Sequence, residues 1–470
     1  MKNLLIIFTV LLFLFTDNGV EAQTVWVKGI AENRPFEKVR LIAFEDNFSK
    51  LPKEVAEVMT DESGRFSVGV GIKAVTYMVF NMGLSRAGIY FKPHAHYELL
   101  IPDDTLSKGS VFDQSPLPLI LTKTDDGGLN EKISRFNRIY SGFLGNHYQE
   151  FLSRRNKQLI SDFKNLIASE ISDVKEPYLK NYIKYSVAQL EWFGKVKSER
   201  AILKEYFVDE KILYGNIQYA DFFREFFKEY FHTHFYGRYF YSLREAIVQQ
   251  SLQTVDSLFL KDELLESREE LRQLIMVNVL ADLYFDRNFN RRGVIGLLDK
   301  ISDASSYDMI RKIARHFVKK LSKMQPGTPA PEFTLPLANG ENRSLKDWEG
   351  RFVIMDFMKG DCAVCMAHLT FLKDMQSRLG SKVVIVLMVY GKDASKVSAW
   401  VKKEQLDWPV LFVGKRLDIL DAYDVVVFPT YVLLNPDGTV GKAPAGMADE
   451  TLESEINRLI FQWKRSKDGK

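Results

Sequence analysis

The stretch FVIMDFMKGDCAVC, residues 352–365, decides the fold of the C-terminal part of this chain. Residues 352–357 are apolar apart from Asp356 and predict a buried β-strand. Cys362 and Cys365 follow this strand and are the only cysteines among the 470 residues. A Cys-x-x-Cys pair directly after a strand predicts a redox site, and so few cysteines exclude a disulfide-stapled scaffold.

Strands and helices alternate on both sides of the motif. A proline-rich run at 326–331 separates this region from the preceding chain. Beyond the first strand we predict helices at 363–379, 393–404 and 450–463, and strands at 382–390 and 431–434. This alternation is typical of an α/β domain, which we place at residues 326–470.

The spacing of the two cysteines has a physical reason. Two intervening residues in the first turn of a helix bring the sulfurs close enough to bond, and the sulfur of Cys362 then lies at the helix N-terminus, where N–H groups and the dipole stabilise a thiolate. Cys362 would attack a substrate disulfide and Cys365 would resolve the mixed disulfide. The alternative is half of a zinc site, although zinc usually takes four ligands and only His368 is near in sequence.

The distribution of the 15 prolines divides the rest of the chain. Residues 119–325 contain only Pro177, and proline in a helix interior costs about 3 kcal/mol, so we predict a central all-α domain at 121–325. Short β-rich runs with turns between them predict an N-terminal β-sandwich-like domain at 23–120. The chain is therefore predicted to be multidomain.

Two features outside the Cys-x-x-Cys motif could each have a structural or a binding role. The aromatic-dense segment 219–241 is either a filled core between helices or a hydrophobic groove for a peptide or partner. His94 and His96 could share one face of a strand, but they have no carboxylate or cysteine neighbours, so we predict no metal site. The sequence has no nucleotide, haem or flavin motif, and we predict no cofactor.

The N-terminal residues predict that the protein is exported. Lys2, an apolar run at 4–15 and small or permitted residues at 20–22 are typical of a cleaved export signal, so the mature chain would begin at Gln23. The apolar run is shorter than the ~20 residues of a membrane-spanning helix, and the alternatives are a buried strand or an uncleaved anchor. The absence of cysteine near the cut predicts that the protein is not a lipoprotein. A net charge of +3 argues against a nucleic-acid partner.

Residues 326–470 resemble the TlpA/ResA-like family of exported thiol–disulfide oxidoreductases, a branch of the thioredoxin superfamily. The resemblance is carried by Pro329 to Phe333, Leu345 to Trp348, Phe357, Cys362 with Cys365, Pro429 with Thr430, and Asp437 with Gly438. It implies a thioredoxin-like fold in which Cys362 is the attacking cysteine and Cys365 the resolving one.

The resemblance also implies two supporting elements. Asp356 matches the buried acid of thioredoxin, whose apolar surroundings should raise its pKa so that it can exchange a proton with Cys365; the alternative is a polar residue at a strand edge. In Phe428-Pro429-Thr430, a cis-proline at Pro429 would face the disulfide while its neighbouring backbone pairs with an extended substrate segment. The alternative is an ordinary proline at the start of a strand.

Several positions depart from the family pattern. Asp361 replaces the usual Trp, Ala363-Val364 replaces Gly-Pro, and His368 and Thr370 replace Glu and Pro. Asp361 would cap the helix, and its charge would oppose thiolate formation at Cys362. These departures concern redox poise and leave the direction of electron flow open.

The predicted function is therefore an exported thiol–disulfide oxidoreductase, periplasmic in a Gram-negative source. As the resemblance implies, it would reduce substrate protein disulfides with electrons from a membrane or periplasmic thiol donor. One alternative is a non-catalytic partner-binding protein with a redox-regulatory thioredoxin-like domain. The catalytic and binding functions can also coexist, with the helical region selecting the partner or forming a homodimer. Another is a peroxiredoxin-like peroxidase, but Met355 and Lys359 stand where that family has Pro and Thr.

Overall fold

The structure is a computed structural model that describes residues 23–103, 116–153, 157–171, 174–337, 339–391 and 394–468. The predicted export signal at 1–22 lies outside the described residues. The described chain forms two compact units, the first built from most of residues 23–320 and the second mainly from residues 321–468. Among the described residues, none of the helices combines the length and the apolar character needed to cross a bilayer.

The first unit opens with strands that form two sheets. The strands are β1 Gln23–Ala31, β2 Lys38–Phe44, β3 Pro52–Met59, β4 Arg65–Ile72, β5 Thr76–Met82, β6 Ser85–Phe91, β7 His96–Ile101 and β8 Ile120–Thr124. They pair in the orders β4-β1-β7-β8 and β3-β2-β5-β6. Alternate residues of β1, Val25 and Val27, share one core with Leu41 and Phe80 of the other sheet, so the two sheets form a sandwich.

Helices make up the remainder of the first unit. They are α1 Leu129–Asn146, α2 Tyr148–Ser153, α3 Lys157–Glu170, α4 Pro177–Phe193, α5 Glu199–Leu203, α6 Ile217–Phe231, α7 Gly237–Gln249, α8 Leu252–Phe259, α9 Glu263–Glu266, α10 Glu269–Leu283, α11 Arg291–Ala304 and α12 Asp308–Ser322. Pro177 stands in the first turn of α4, where its missing N–H costs no hydrogen bond. The region is helical, as its lack of proline predicts.

The aromatic segment fills the core of this unit. Its buried aromatic members are Tyr219, Phe222, Phe223, Phe226, Phe227, Tyr230, Phe231 and Phe235. Phe48, from the segment between β2 and β3, packs edge-on against Phe223 with ring centroids 5.3 Å apart, and His316 Nδ1 lies 2.8 Å from Asp46 Oδ2. The sheets and the helices are thus joined by buried contacts. The buried part of the segment serves as core, whereas Tyr241 at its end is exposed.

The second unit contains the cysteine motif. Its elements are β9 Thr334–Pro336, β10 Asn342–Ser344, β11 Phe352–Lys359, α13 Ala363–Leu379, β12 Val383–Tyr390, α14 Ser395–Lys403, β13 Val410–Gly414, α15 Leu417–Ala422, β14 Thr430–Leu434, β15 Val440–Ala445 and α16 Leu452–Asp468. The main sheet has the order β13-β12-β11-β14-β15. β11 pairs with β12 in parallel and with β14 antiparallel, which is the thioredoxin-like arrangement predicted for this region.

The alternation of side chains along β11 places Asp356. Ile354 and Met358 belong to the core that also holds Leu369 of α13, while Phe357 belongs to the core on the other face. Because successive strand residues point to opposite faces, Asp356 lies on the α13 side of the sheet. β11 is the central strand, so Asp356 does not stand at a strand edge.

Candidate redox site

The start of α13 places both cysteines in one helical turn. Cys362 is the N-cap residue, and its Sγ accepts a hydrogen bond from the backbone N–H of Cys365 at 3.1 Å. The two sulfurs are joined as a disulfide, with the Cα atoms 5.2 Å apart. Cys362 is half-buried, whereas Cys365 is 0% exposed. A substrate can therefore reach the sulfur of Cys362 but not that of Cys365.

The cap of α13 differs from the one predicted. The prediction that Asp361 caps the helix is wrong, because Cys362 itself has the extended N-cap conformation and supplies the acceptor atom. Asp361 is exposed, and its Oδ1 lies 3.8 Å from Nζ of Lys359. The lysine offsets part of the negative charge that would oppose a thiolate at Cys362.

Asp356 is a buried carboxyl group without a hydrogen-bond partner. It is 0% exposed, and neither carboxylate oxygen makes a hydrogen bond. Its sheet neighbours are Leu387 on β12 and Tyr431 on β14. Burial raises the pKa of Asp356 to about 8, because the charged form loses its hydration. This group can therefore gain and lose a proton in the neutral to mildly alkaline range.

The Phe428–Pro429 peptide bond is cis and stands directly before β14. Thr430, the first residue of β14, pairs with Phe357 on β11. Because β11 continues into the loop that carries Cys362, this pairing brings the beginning of β14 to the same end of the sheet as the cysteines. Phe428, Pro429 and Thr430, which the sequence predicts to contact the substrate, therefore lie at the end of the sheet that carries the cysteines.

Apolar side chains are exposed on both parts of the site. Val364, between the cysteines, is 44% exposed. Val426 and Val427, in the segment before the cis bond, are 50% and 51% exposed. Exposed valines at these positions offer contact area to the apolar side chains of an extended polypeptide.

A buried polar chain near the cysteines was missed by sequence analysis. His368 is 6% exposed and lies three residues after Cys365, hence on the same side of α13. Its Nδ1 is 3.1 Å from the hydroxyl of Tyr431, and its Nε2 is 3.6 Å from Oδ1 of Asp449. The spacing of three from Cys365 was the available signal, but the two partners come from distant parts of the sequence.

His94 and His96, which were considered as metal ligands, lie around the start of β7. His94 precedes β7 with a left-handed φ of 68°, and the Nδ1 atom of His96 lies 3.2 Å from Asp125 on the surface. Within the described ranges, no group of three or more His, Cys, Asp or Glu side chains is arranged to hold a metal ion.

Known proteins are similar to this chain in the region of the site. A protein-family model described as the AhpC/TSA family matches residues 326–443. Thiol-disulfide oxidoreductase ResA of Bacillus subtilis is 31% identical over 135 residues, which are 28% of this chain and 75% of that protein. Thioredoxin-like protein YneN of the same organism is 26% identical over 145 residues, 30% of this chain and 84% of that protein.

One of the similar solved structures extends over more of the chain. It is the crystal structure of a thioredoxin-like protein from Bacteroides caccae, which is 18% identical. The match covers 50% of this chain and 93% of that one, with a TM-score of 0.31.

Proposed function

Because this chain belongs to the TlpA/ResA-like family of thiol–disulfide oxidoreductases in the thioredoxin superfamily, we propose that it reduces protein disulfides by dithiol exchange through Cys362 and Cys365. The observation that carries this mechanism is the position of Cys362 at the N-cap of α13, with its sulfur accepting the N–H of Cys365. A thiolate at that position is stabilised by the N–H group and by the helix dipole.

The reaction proceeds in two exchanges. The Cys362 thiolate attacks one sulfur of the substrate disulfide, forms a mixed disulfide and releases the other substrate sulfur as a thiolate. Cys365 then gives its proton to Asp356 and attacks the Cys362 sulfur, which releases the second substrate sulfur and closes the intramolecular disulfide. Two electrons pass to the substrate, and a membrane or periplasmic thiol donor returns the pair to the dithiol form.

The segment before β14 is the proposed substrate contact. The backbone at Phe428 and Thr430, on either side of Pro429, pairs with an extended stretch of the substrate. The exposed side chains of Val426 and Val427 add apolar contacts beside it. This arrangement favours extended or unfolded substrate segments around a protein disulfide over a small-molecule disulfide.

The match to the AhpC/TSA family raises the peroxidase alternative. Met355, at the position where the peroxiredoxin pattern has Pro, is 1% exposed and belongs to the sheet core on the face opposite α13. Lys359, at the position of the Thr, approaches the carboxylate of Asp361. Neither side chain can take the role of the residue it replaces, which supports thiol exchange over peroxide reduction.

We place the reaction outside the cytoplasm. Residues 1–22 have the composition of a cleaved export signal, and disulfides persist in the compartments to which such signals lead. In a Gram-negative source the compartment would be the periplasm. A substrate pool of protein disulfides exists there, whereas the cytosol keeps thiols reduced.

A substrate trap tests the function and the location together. The Cys365→Ser variant, expressed in the native host, is expected to accumulate mixed disulfides with substrate proteins because the resolving thiol is missing. The captured chain should begin at Gln23 by mass spectrometry and should be recovered from the envelope fraction. The double variant Cys362→Ser/Cys365→Ser is the matched control. If the single variant gave no more reductant-sensitive adducts than the control, the non-catalytic binding alternative would be favoured.

A further inference from the structure

The polar chain Tyr431–His368–Asp449 has no part in the two exchanges above. Both ring nitrogens of the buried His368 face a polar partner, Tyr431 at 3.1 Å and Asp449 at 3.6 Å. The Tyr431 side chain is fully buried, whereas that of Asp449 is 42% exposed. These three polar groups therefore form a path from the interior of the second unit to its surface, with the imidazole of His368 in the middle.

The inner end of this chain lies beside the groups that exchange protons. Tyr431 is the sheet partner of Asp356, and opposed residues of paired strands present their side chains on the same face. Cys365 and Tyr431 belong to the same buried cluster. Burial, and next the charge of Asp356, raise the pKa of Tyr431, which agrees with this proximity.

The second exchange needs a route for a proton. Asp356 and Cys365 are both 0% exposed, so neither can exchange directly with bulk water. Because the pKa of Asp356 is raised to about 8, the carboxyl holds a proton at pH 7. It must release that proton before it can accept the one on Cys365.

We propose that His368, held between Tyr431 and Asp449, is a positioning residue that passes protons between the buried Asp356–Cys365 pair and the surface. The inference rests on the proposed function. For each proton that leaves, the Tyr431 hydroxyl gives its proton to Nδ1 of His368 and takes one from Asp356, while Nε2 releases a proton toward Asp449 and water. No electrons move in this step, which leaves His368 neutral with its proton on Nδ1. When the thiol donor restores the dithiol, a proton returns to Asp356 by the reverse transfers and the ring proton returns to Nε2.

The geometry of this route depends on the contact between Asp356 and Tyr431 and on the titratable groups around His368. Asp356 and Tyr431 are neighbours without a hydrogen bond between them, so transfer there requires a movement that brings the carboxyl group and the hydroxyl into contact. Among the described residues, the titratable groups that face His368 are Tyr431 from β14, Asp449 from the segment between β15 and α16, and Cys365 on its own helix.

The two exchanges can be timed separately with an aromatic disulfide. Reduced mature protein is mixed with 5,5′-dithiobis(2-nitrobenzoic acid) in a stopped-flow instrument. Attack by Cys362 releases one thionitrobenzoate, and closure by Cys365 releases the other. Thionitrobenzoate is a stable anion that leaves without a proton, so the second release reports how readily Cys365 loses its own proton.

The His368→Gln variant is expected to leave the first release unchanged and to slow the second about tenfold at pH 7. This effect is smaller than the loss usually seen when a residue that itself acts as the general acid or base is removed. The defect should shrink at pH 9, because Asp356 is then ionised before the exchange begins. Imidazole in the buffer should restore the second release in His368→Ala. The equilibrium constant with glutathione should stay within about twofold, since a proton route changes the rate and not the poise.

Tyr431→Phe is the second variant, because it keeps the ring and deletes only the hydroxyl. It should reproduce the slow second release, and combining it with His368→Gln should add nothing further. If His368→Gln does not fold, Tyr431→Phe decides alone. A second release at the wild-type rate, or a slow one that ignores both pH and imidazole, would overturn the proposal. A wild-type chain that fails at the first release would instead count against the proposed function.

Discussion

The Cys365→Ser variant, which keeps only Cys362, is expected to react with a disulfide about a hundredfold faster than the Cys362→Ser variant, which keeps only Cys365. Cys362 is half-buried at the N-cap of α13, where the backbone N–H groups and the helix dipole stabilise a thiolate. Cys365 is 0% exposed among apolar side chains, which keeps its sulfur out of reach of a disulfide in solution.

The measurement is the second-order rate constant of each reduced variant with 5,5′-dithiobis(2-nitrobenzoic acid) at pH 7. The chain has no third cysteine, so each variant reports one sulfur. The double serine variant supplies the background, and matched thermal unfolding curves exclude a folding defect. Equal rates, or a faster Cys365, would mean that the roles of the two sulfurs are not those assigned here.

The Asp356→Asn variant is expected to change how stability depends on pH. The folded-state pKa of Asp356 is about 8, whereas an unfolded Asp titrates near 3.9. Between these values the folded chain binds a proton that the unfolded chain has lost. The contribution of Asp356 to the free energy of unfolding therefore falls as pH rises from about 4 to 8, by at most about 1.4 kcal/mol per pH unit.

Asn at this position keeps the size of the side chain and cannot ionise. The free energy of unfolding of the variant therefore lacks the decrease with pH that Asp356 causes in the wild type. The two proteins should have similar stability near pH 4, and the variant should be more stable by several kcal/mol at pH 9. Urea unfolding of the disulfide form at both pH values measures the difference without interference from the cysteine thiols. Asp361→Asn is the matched control, because Asp361 is exposed and lies in the connection that follows the strand of Asp356. A stability difference that does not vary with pH would contradict the buried, unpartnered state of Asp356.

The local features of the redox unit were predictable from the sequence. Apolar runs and the helical pattern report on neighbours along the chain, and the helix predicted at 363–379 is observed as Ala363–Leu379. The position of the cap was not predictable by the usual preference for Asp, because the sulfur of Cys362 takes the acceptor role. That choice depends on the conformation of one residue rather than on its type.

Features that depend on strand order stayed open until the topology was known. The surroundings of Asp356 followed from the position of β11 between β12 and β14, which no pattern within residues 352–359 reveals. The chain Tyr431–His368–Asp449 joins a helix, a strand and a connection that are widely separated in sequence. For the same reason the aromatic segment at 219–241 had two interpretations until its burial was seen.

The central claim is that this chain reduces protein disulfides through Cys362, and insulin reduction tests it most directly. Reduction of the insulin interchain disulfides by dithiothreitol is followed through precipitation of the B chain, with the wild-type chain or the Cys362→Ser variant added at equal concentration. We predict that the wild type accelerates precipitation well above the dithiothreitol background and that Cys362→Ser does not exceed that background. Equal acceleration by the two proteins would contradict the account.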